Sequence, residues 1–86
     1  MESKAQKASR EQWRRAASAV VAATRRDNDL TQAQLAKKLG WSRESLARIE
    51  TGNRKLELSD FIVIAYALGV APDVLFGRVL HWMRGK

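Results

Sequence analysis

No cysteine occurs among the 86 residues and histidine occurs once, so a disulfide framework, a thiolate nucleophile and the usual Cys/His zinc sites are excluded by composition. Proline also occurs once. The most apolar stretch, Phe61 to Ala71, falls well short of the roughly 18 to 20 residues that a membrane span requires. Met1 to Arg15 followed by Ala16 to Ala23 imitates the basic and apolar parts of a secretory signal. That run, however, is built of Ala, Ser and Val with no Leu, Ile or Phe, so it is expected to belong to the mature fold of a cytoplasmic protein. Eighty-six residues suffice for one small domain, which buries only about 60% of the surface of its unfolded chain, and a large multi-step enzyme does not fit. There is no nucleophile–base pair, no glycine-rich phosphate loop and no ligand cluster, so no enzymatic activity, metal or cofactor is expected.

What is abundant is positive charge. Sixteen Lys and Arg against nine Asp and Glu give +7, which points to a polyanionic partner, nucleic acid before membrane. The charge is unevenly placed: residues 25–55 hold eight basic and four acidic groups, whereas residues 56–76 hold three acids and no base. The middle segment is expected to face the polyanion, and the segment with Glu57, Asp60 and Asp73 to face away.

Helical periodicity and capping residues divide the chain into five short helices with no period-two strand pattern, which predicts an all-α fold. Ser9 with Gln12 forms a capping-box pattern ahead of Trp13, Ala16, Ala17, Val20 and Thr24, and Asp27-Asn28-Asp29 is the exit. Residues 1–8 then form a flexible basic tail, 9–76 the domain proper and 77–86 a helical extension. Thr31 with Gln34 opens a second helix, closed by Gly40. Ser42 caps a third, which stops at Gly52, and Leu58 to Leu68 makes the core helix, closed by Gly69. Pro72 suits the first position of a fifth helix with Val74, Leu75, Val79, Leu80, Trp82 and Met83 as its apolar stripe, unless Gly77 interrupts it. Trp41, between Gly40 and Ser42, makes the turn between the second and third helices very tight.

At about 100° per residue, Arg43, Glu44, Ala47 and Arg48 share an arc of about 140° on the third helix, opposite Ser45, Leu46 and Ile49. Two guanidinium groups, a carboxylate and a small alanine suit the major groove of DNA. The arginines match guanine O6 and N7, while Glu44 either accepts from cytosine N4 or holds an arginine in place.

The stretches Leu30-Thr-Gln-Ala-Gln-Leu-Ala-Lys-Lys-Leu-Gly40, Ser42-Arg-Glu-Ser-Leu-Ala-Arg-Ile-Glu-Thr-Gly52 and Ala65-Tyr-Ala-Leu-Gly-Val-Ala-Pro-Asp-Val-Leu-Phe76 resemble the lambda-repressor-like (Cro/C1, XRE) helix-turn-helix family over roughly residues 13–76. The resemblance implies a compact five-helix domain that binds operator DNA as a dimer. It implies base reading by Arg43, Glu44 and Arg48, with Ala47 on the same face, and contacts of Gln32, Ser42 and Ser45 with phosphates or neighbouring bases. The segment Thr51-Gly-Asn-Arg-Lys55 corresponds to the family's phosphate loop, where backbone N–H groups beside Gly52, the Asn53 amide, Arg54 and Lys55 can all bind phosphate. Arg25 matches a first-helix arginine that pairs with a glutamate, here Glu50, and aims its remaining donors at the DNA backbone. Leu56 stands where proline is frequent in the family, Glu57 where Ser or Thr caps the fourth helix, and Trp41 exceeds the usual aliphatic residue.

The resulting expectation is a homodimeric, sequence-specific repressor of a palindromic double-stranded DNA operator, with no membrane partner and no small-molecule effector. Val79, Leu80, Trp82 and Met83 are the candidate dimer contact. An antitoxin, a restriction-modification controller and a protein-interaction module without DNA binding are the alternatives. Lys4, Lys7, Arg10, Arg14 and Arg15 belong either to a solubilising tail or to an arm entering the minor groove.

Overall fold

Five helices make up the computed structural model, which describes residues 1–85: α1 (Lys4–Asp27), α2 (Gln32–Leu39), α3 (Arg43–Glu50), α4 (Leu58–Ala67) and α5 (Pro72–Gly85). Lys86, the last residue of the expected extension, lies outside the described residues. No strand occurs among the described residues, and the all-α expectation holds.

The first helix begins earlier than Ser9. Its N-cap is Ser3, whose hydroxyl accepts from the Gln6 backbone N–H at 3.1 Å while the Gln6 side chain accepts from the Ser3 N–H at 2.8 Å. Ser3 and Ser9 each stand three residues before a glutamine. The earlier box prevails because Lys4 to Ala8 are good helix formers with no breaker among them, so nothing stops propagation at Ser9. Residues 4–8 are therefore helical rather than tail. At about 1.5 Å per residue α1 is roughly 36 Å long, close to the molecule's longest dimension of 39 Å. It ends at Asn28, whose side chain donates to the Thr24 carbonyl at 2.8 Å, and at Asp29 in the left-handed region with φ 56°.

The other boundaries follow the capping pattern. Thr31 and Gln34 form a reciprocal box at the start of α2, and Gly40 closes it with φ 72°. Ser42 caps α3, and Gly52 and Gly69 take φ 79° and 72° just past α3 and α4. Glu57 occupies the cap position of α4 without a side-chain cap bond. Pro72 is the first residue of α5, which continues unbroken through Gly77.

One core joins all five helices. Val21 of α1, Leu35 of α2, Leu46 and Ile49 of α3, Phe61 and Ile64 of α4, and Leu75 and Val79 of α5 are fully buried. The Trp13 ring packs between Phe61 (centroids 5.6 Å apart) and Phe76 (5.5 Å), and so ties α1 to α4 and α5 in tilted aromatic contacts. Among the described residues no single helix is long and apolar enough to cross a membrane.

Candidate nucleic-acid interface

The eight residues of α3 divide sharply into two faces. Leu46 and Ile49 are completely buried, each worth about 1.5–3 kcal/mol of burial, and the Ser18 hydroxyl of α1 donates to the Ile49 carbonyl at 2.7 Å in the interior. Arg43, Glu44 and Arg48 are exposed on the opposite side, with Ala47 half-buried between them. The Ser42 hydroxyl fixes the helix start: it accepts from the Ser45 N–H at 3.1 Å and donates to the Ser45 hydroxyl at 3.0 Å. At about 1.5 Å per residue the helix is roughly 12 Å long, a length the major groove of DNA accommodates.

A chain of polar contacts runs from the interior to this face. Arg25 of α1 donates through Nε to Glu50 Oε2 at 2.7 Å and through Nη2 to Glu50 Oε1 at 3.0 Å, while its Nη1 donates to the Leu30 carbonyl at 2.7 Å. The two side chains are only 10% and 4% exposed. The hydrogen bond to Glu50 pushes the Arg25 pKa up, burial opposes it, and the Glu50 charge adds to the rise. Glu50 Oε1 also accepts from Gln32 Nε2 at 2.9 Å, and Gln32 Oε1 accepts from Arg43 Nη1 at 3.2 Å. Arg43 lies a further 3.8 Å from the Glu44 carboxylate. No buried side-chain N or O atom among the described residues lacks a hydrogen-bond partner. The exposed guanidinium of Arg43 is thus referred, through Gln32 and Glu50, to an arginine anchored in α1.

The loop after α3 is equally fixed. The N–H groups of Asn53 and Arg54 donate to the Arg48 carbonyl at 2.8 and 3.1 Å, and that of Gly52 donates to the Ile49 carbonyl at 3.1 Å. The Arg54 guanidinium stands over the Trp41 ring, 5.9 Å from its centroid. The side chains of Thr51, Asn53, Arg54 and Lys55 are left at the surface.

A helix-turn-helix domain family matches residues 11–79 of this sequence. The chain belongs to that family. No curated protein matches it. The family is of the lambda-repressor-like kind that the motifs around Leu30–Gly40 and Ser42–Gly52 resemble, and its helix-turn-helix is made by α2 and α3. The domain points to DNA binding.

Arg25 is buried and makes the expected pair with Glu50, and three of its donors are held by Glu50 and Leu30, because a buried carboxylate needs a charged partner with planar, two-pronged geometry. Two expectations change. The N–H groups beside Gly52 are not free for a phosphate, since the last carbonyls of α3 have no partner within the helix and take those donors. Val79 is fully buried in the monomer core, one turn from Leu75 on the stripe facing α1 and α4, so it is not a dimer contact. Trp82 and Met83 are half-buried against the same core, and Leu80 is exposed.

Gln32, expected at phosphates or neighbouring bases, also stands between Glu50 and Arg43. Only the tertiary approach of α2 to α3 brings these side chains together. The bulky Trp41 ring carries Arg54, and an aromatic ring close in sequence to a cationic loop is the local signal for that contact.

Proposed function

We propose that the protein is a homodimeric, sequence-specific regulator that binds a palindromic operator in double-stranded DNA and represses transcription by occluding it. The observation that supports this most strongly is the outer face of α3, where Arg43, Glu44 and Arg48 are exposed on a helix whose other side is fully buried. Each subunit lays α3 in a major groove, with half-sites about one helical turn, roughly 34 Å, apart. Arg43 and Arg48 donate to guanine O6 and N7, and the short Ala47 side chain lets the helix approach the base edges. Glu44 accepts from cytosine N4 or steadies Arg43, beside which it lies. Ser42, Ser45, Thr51, Asn53, Arg54 and Lys55 line the flank of the helix and contact phosphates, which supply affinity and salt dependence but no sequence information. Gln32 keeps one N–H for the same purpose while holding Arg43.

The acid-bearing side of the molecule faces away from DNA and carries the dimer contact. Its candidates are Leu80 and the other apolar side chains left at the surface of α4 and α5: Leu58, Val63, Tyr66, Val74 and Phe76. A second copy is the occupant we assign, because two-fold pairing of identical domains is what a palindrome requires. The protein acts in the cytoplasm and without a small-molecule effector.

Selection of bound fragments from a random DNA pool tests the reading. The expected product is a two-fold symmetric consensus with G·C pairs under Arg43 and Arg48. Enrichment of a single asymmetric half-site would remove the dimer, and no enrichment at all would remove base reading.

A further inference from the structure

A groove of about 430 Å³ lies between the N-terminal half of α1 and the segment that follows α3, lined by Arg10, Trp13, Arg14, Lys55 and Leu56. Three cations from two distant parts of the chain converge there. Among the described residues Arg14 and Lys55 have no ion pair, and Arg10, with its side chain 76% exposed, has one, to Glu2 at 3.2 Å. Arg10 and Arg14 are one helical turn apart, so both side chains lie on the same side of α1. The floor is rigid: Trp13 is clamped between Phe61 and Phe76, and Leu56 is 8% exposed. Three like charges around one apolar floor raise the local positive potential, which favours an anion there.

We propose that this groove is a second phosphate-binding site for double-stranded DNA, in which Arg10 and Arg14 each neutralise one backbone phosphate next to those held by Lys55 and the rest of the loop after α3. The inference rests on the DNA-binding reading above. Lys55 directly follows Arg54, whose guanidinium is stacked on Trp41 in the turn of the helix-turn-helix, so the groove continues the loop that flanks α3. A rigid helix carries the two arginines. They therefore act as a fixed rail along the sugar–phosphate backbone, with no ordering of a mobile arm on binding, and they add affinity without sequence preference.

The test compares two doubly substituted proteins of equal net charge by measuring affinity against salt on the selected operator and on a random-sequence duplex. Arg10→Gln with Arg14→Gln removes the groove cations. Lys4→Gln with Arg15→Gln removes two exposed cations on another side of α1, Arg15 being turned about 100° from Arg14 and about 140° from Arg10. Melting by circular dichroism verifies that both remain folded, as expected for exposed helix positions. The groove variant is expected to lose about 1.8 per subunit from the slope of log affinity against log salt, and about 30-fold in affinity per subunit near 0.15 M salt, on both duplexes alike. Arg10→Lys with Arg14→Lys retains most of the slope. Equal slopes for the two glutamine variants would overturn the site and leave only net charge. A loss confined to the operator would make the arginines base readers, also overturning it. A wild-type protein that binds neither duplex would overturn the DNA-binding reading and this site together, whereas normal wild-type binding with an unchanged groove variant would overturn this site alone.

Discussion

Replacing Arg25 by methionine removes three donors from the interior in one step. The Glu50 carboxylate, 4% exposed, is left with Gln32 as its remaining hydrogen-bond partner, and the Leu30 carbonyl loses its side-chain donor. An uncompensated buried charge of this kind costs about 3–5 kcal/mol, against a total stability of about 5–15 kcal/mol for a domain. At about 4–8 °C per kcal/mol for a chain of this size, the melting temperature falls by at least about 12 °C. Urea unfolding followed by far-UV circular dichroism gives the same quantity as a lower midpoint with an unchanged slope. Adding Glu50→Leu to Arg25→Met is expected to restore most of the stability, because replacing both members of a buried pair with apolar groups is often neutral or stabilising. The pH dependence has a definite sign. Arg25 is raised above its ordinary value, so its contribution is fully present below the unfolded pKa and is lost only as pH rises through the still higher folded pKa. The contribution of the Arg25 charge to wild-type stability accordingly stays constant from neutral pH to about pH 10. The double variant also separates stability from reading: Gln32 loses its carboxylate anchor, so operator discrimination stays impaired in a protein that melts normally. A single-variant loss below about 1 kcal/mol, the value of an exposed ion pair, would refute the buried strut.

Two glycines give opposite expectations. Gly77→Ala lies inside α5 with open space around the added methyl and stabilises by about 0.5–1 kcal/mol in thermal melts. Gly52→Ala meets only Ser18 Oγ at 3.8 Å, an ordinary contact, yet destabilises by about 1–2 kcal/mol because its φ of 79° is left-handed. A reversed order would show that the α3 terminus is built differently. Arg54→Ala is expected to weaken binding to all DNA sequences equally and to flatten the salt slope by about 0.9 per subunit; an unchanged slope would reject its phosphate role.

Much of the fold was legible because its boundaries are local. Thr31 with Gln34, Ser42, Pro72 and the glycines at 40, 52 and 69 act through backbone geometry within a few residues, and the sequence states them directly. The start of α1 failed for the same reason: Ser3 and Ser9 offer identical local signals, and only the absence of a breaker between them decides. The outer face of α3 was legible because an eight-residue helix with Leu46 and Ile49 inward has a single way to turn. In α5 the apolar residues cover too much of the circumference for periodicity to separate Val79, which is core, from Leu80, which is surface. Contacts between distant segments were out of reach altogether. Gln32 meets Arg43 across the turn, Arg54 meets Trp41, and Arg10 and Arg14 share a groove with Lys55, each set by how helices pack and not by spacing along the chain.

The central claim is that α3 presents its arginines to base edges, and the affinity of Arg48→Ala and Arg43→Ala for the selected operator relative to random duplex tests it most directly. The account predicts a loss of about 1–3 kcal/mol, about 5- to 150-fold, on the operator with little change on random DNA. Equal losses on both would contradict it and assign the two arginines to the phosphate backbone.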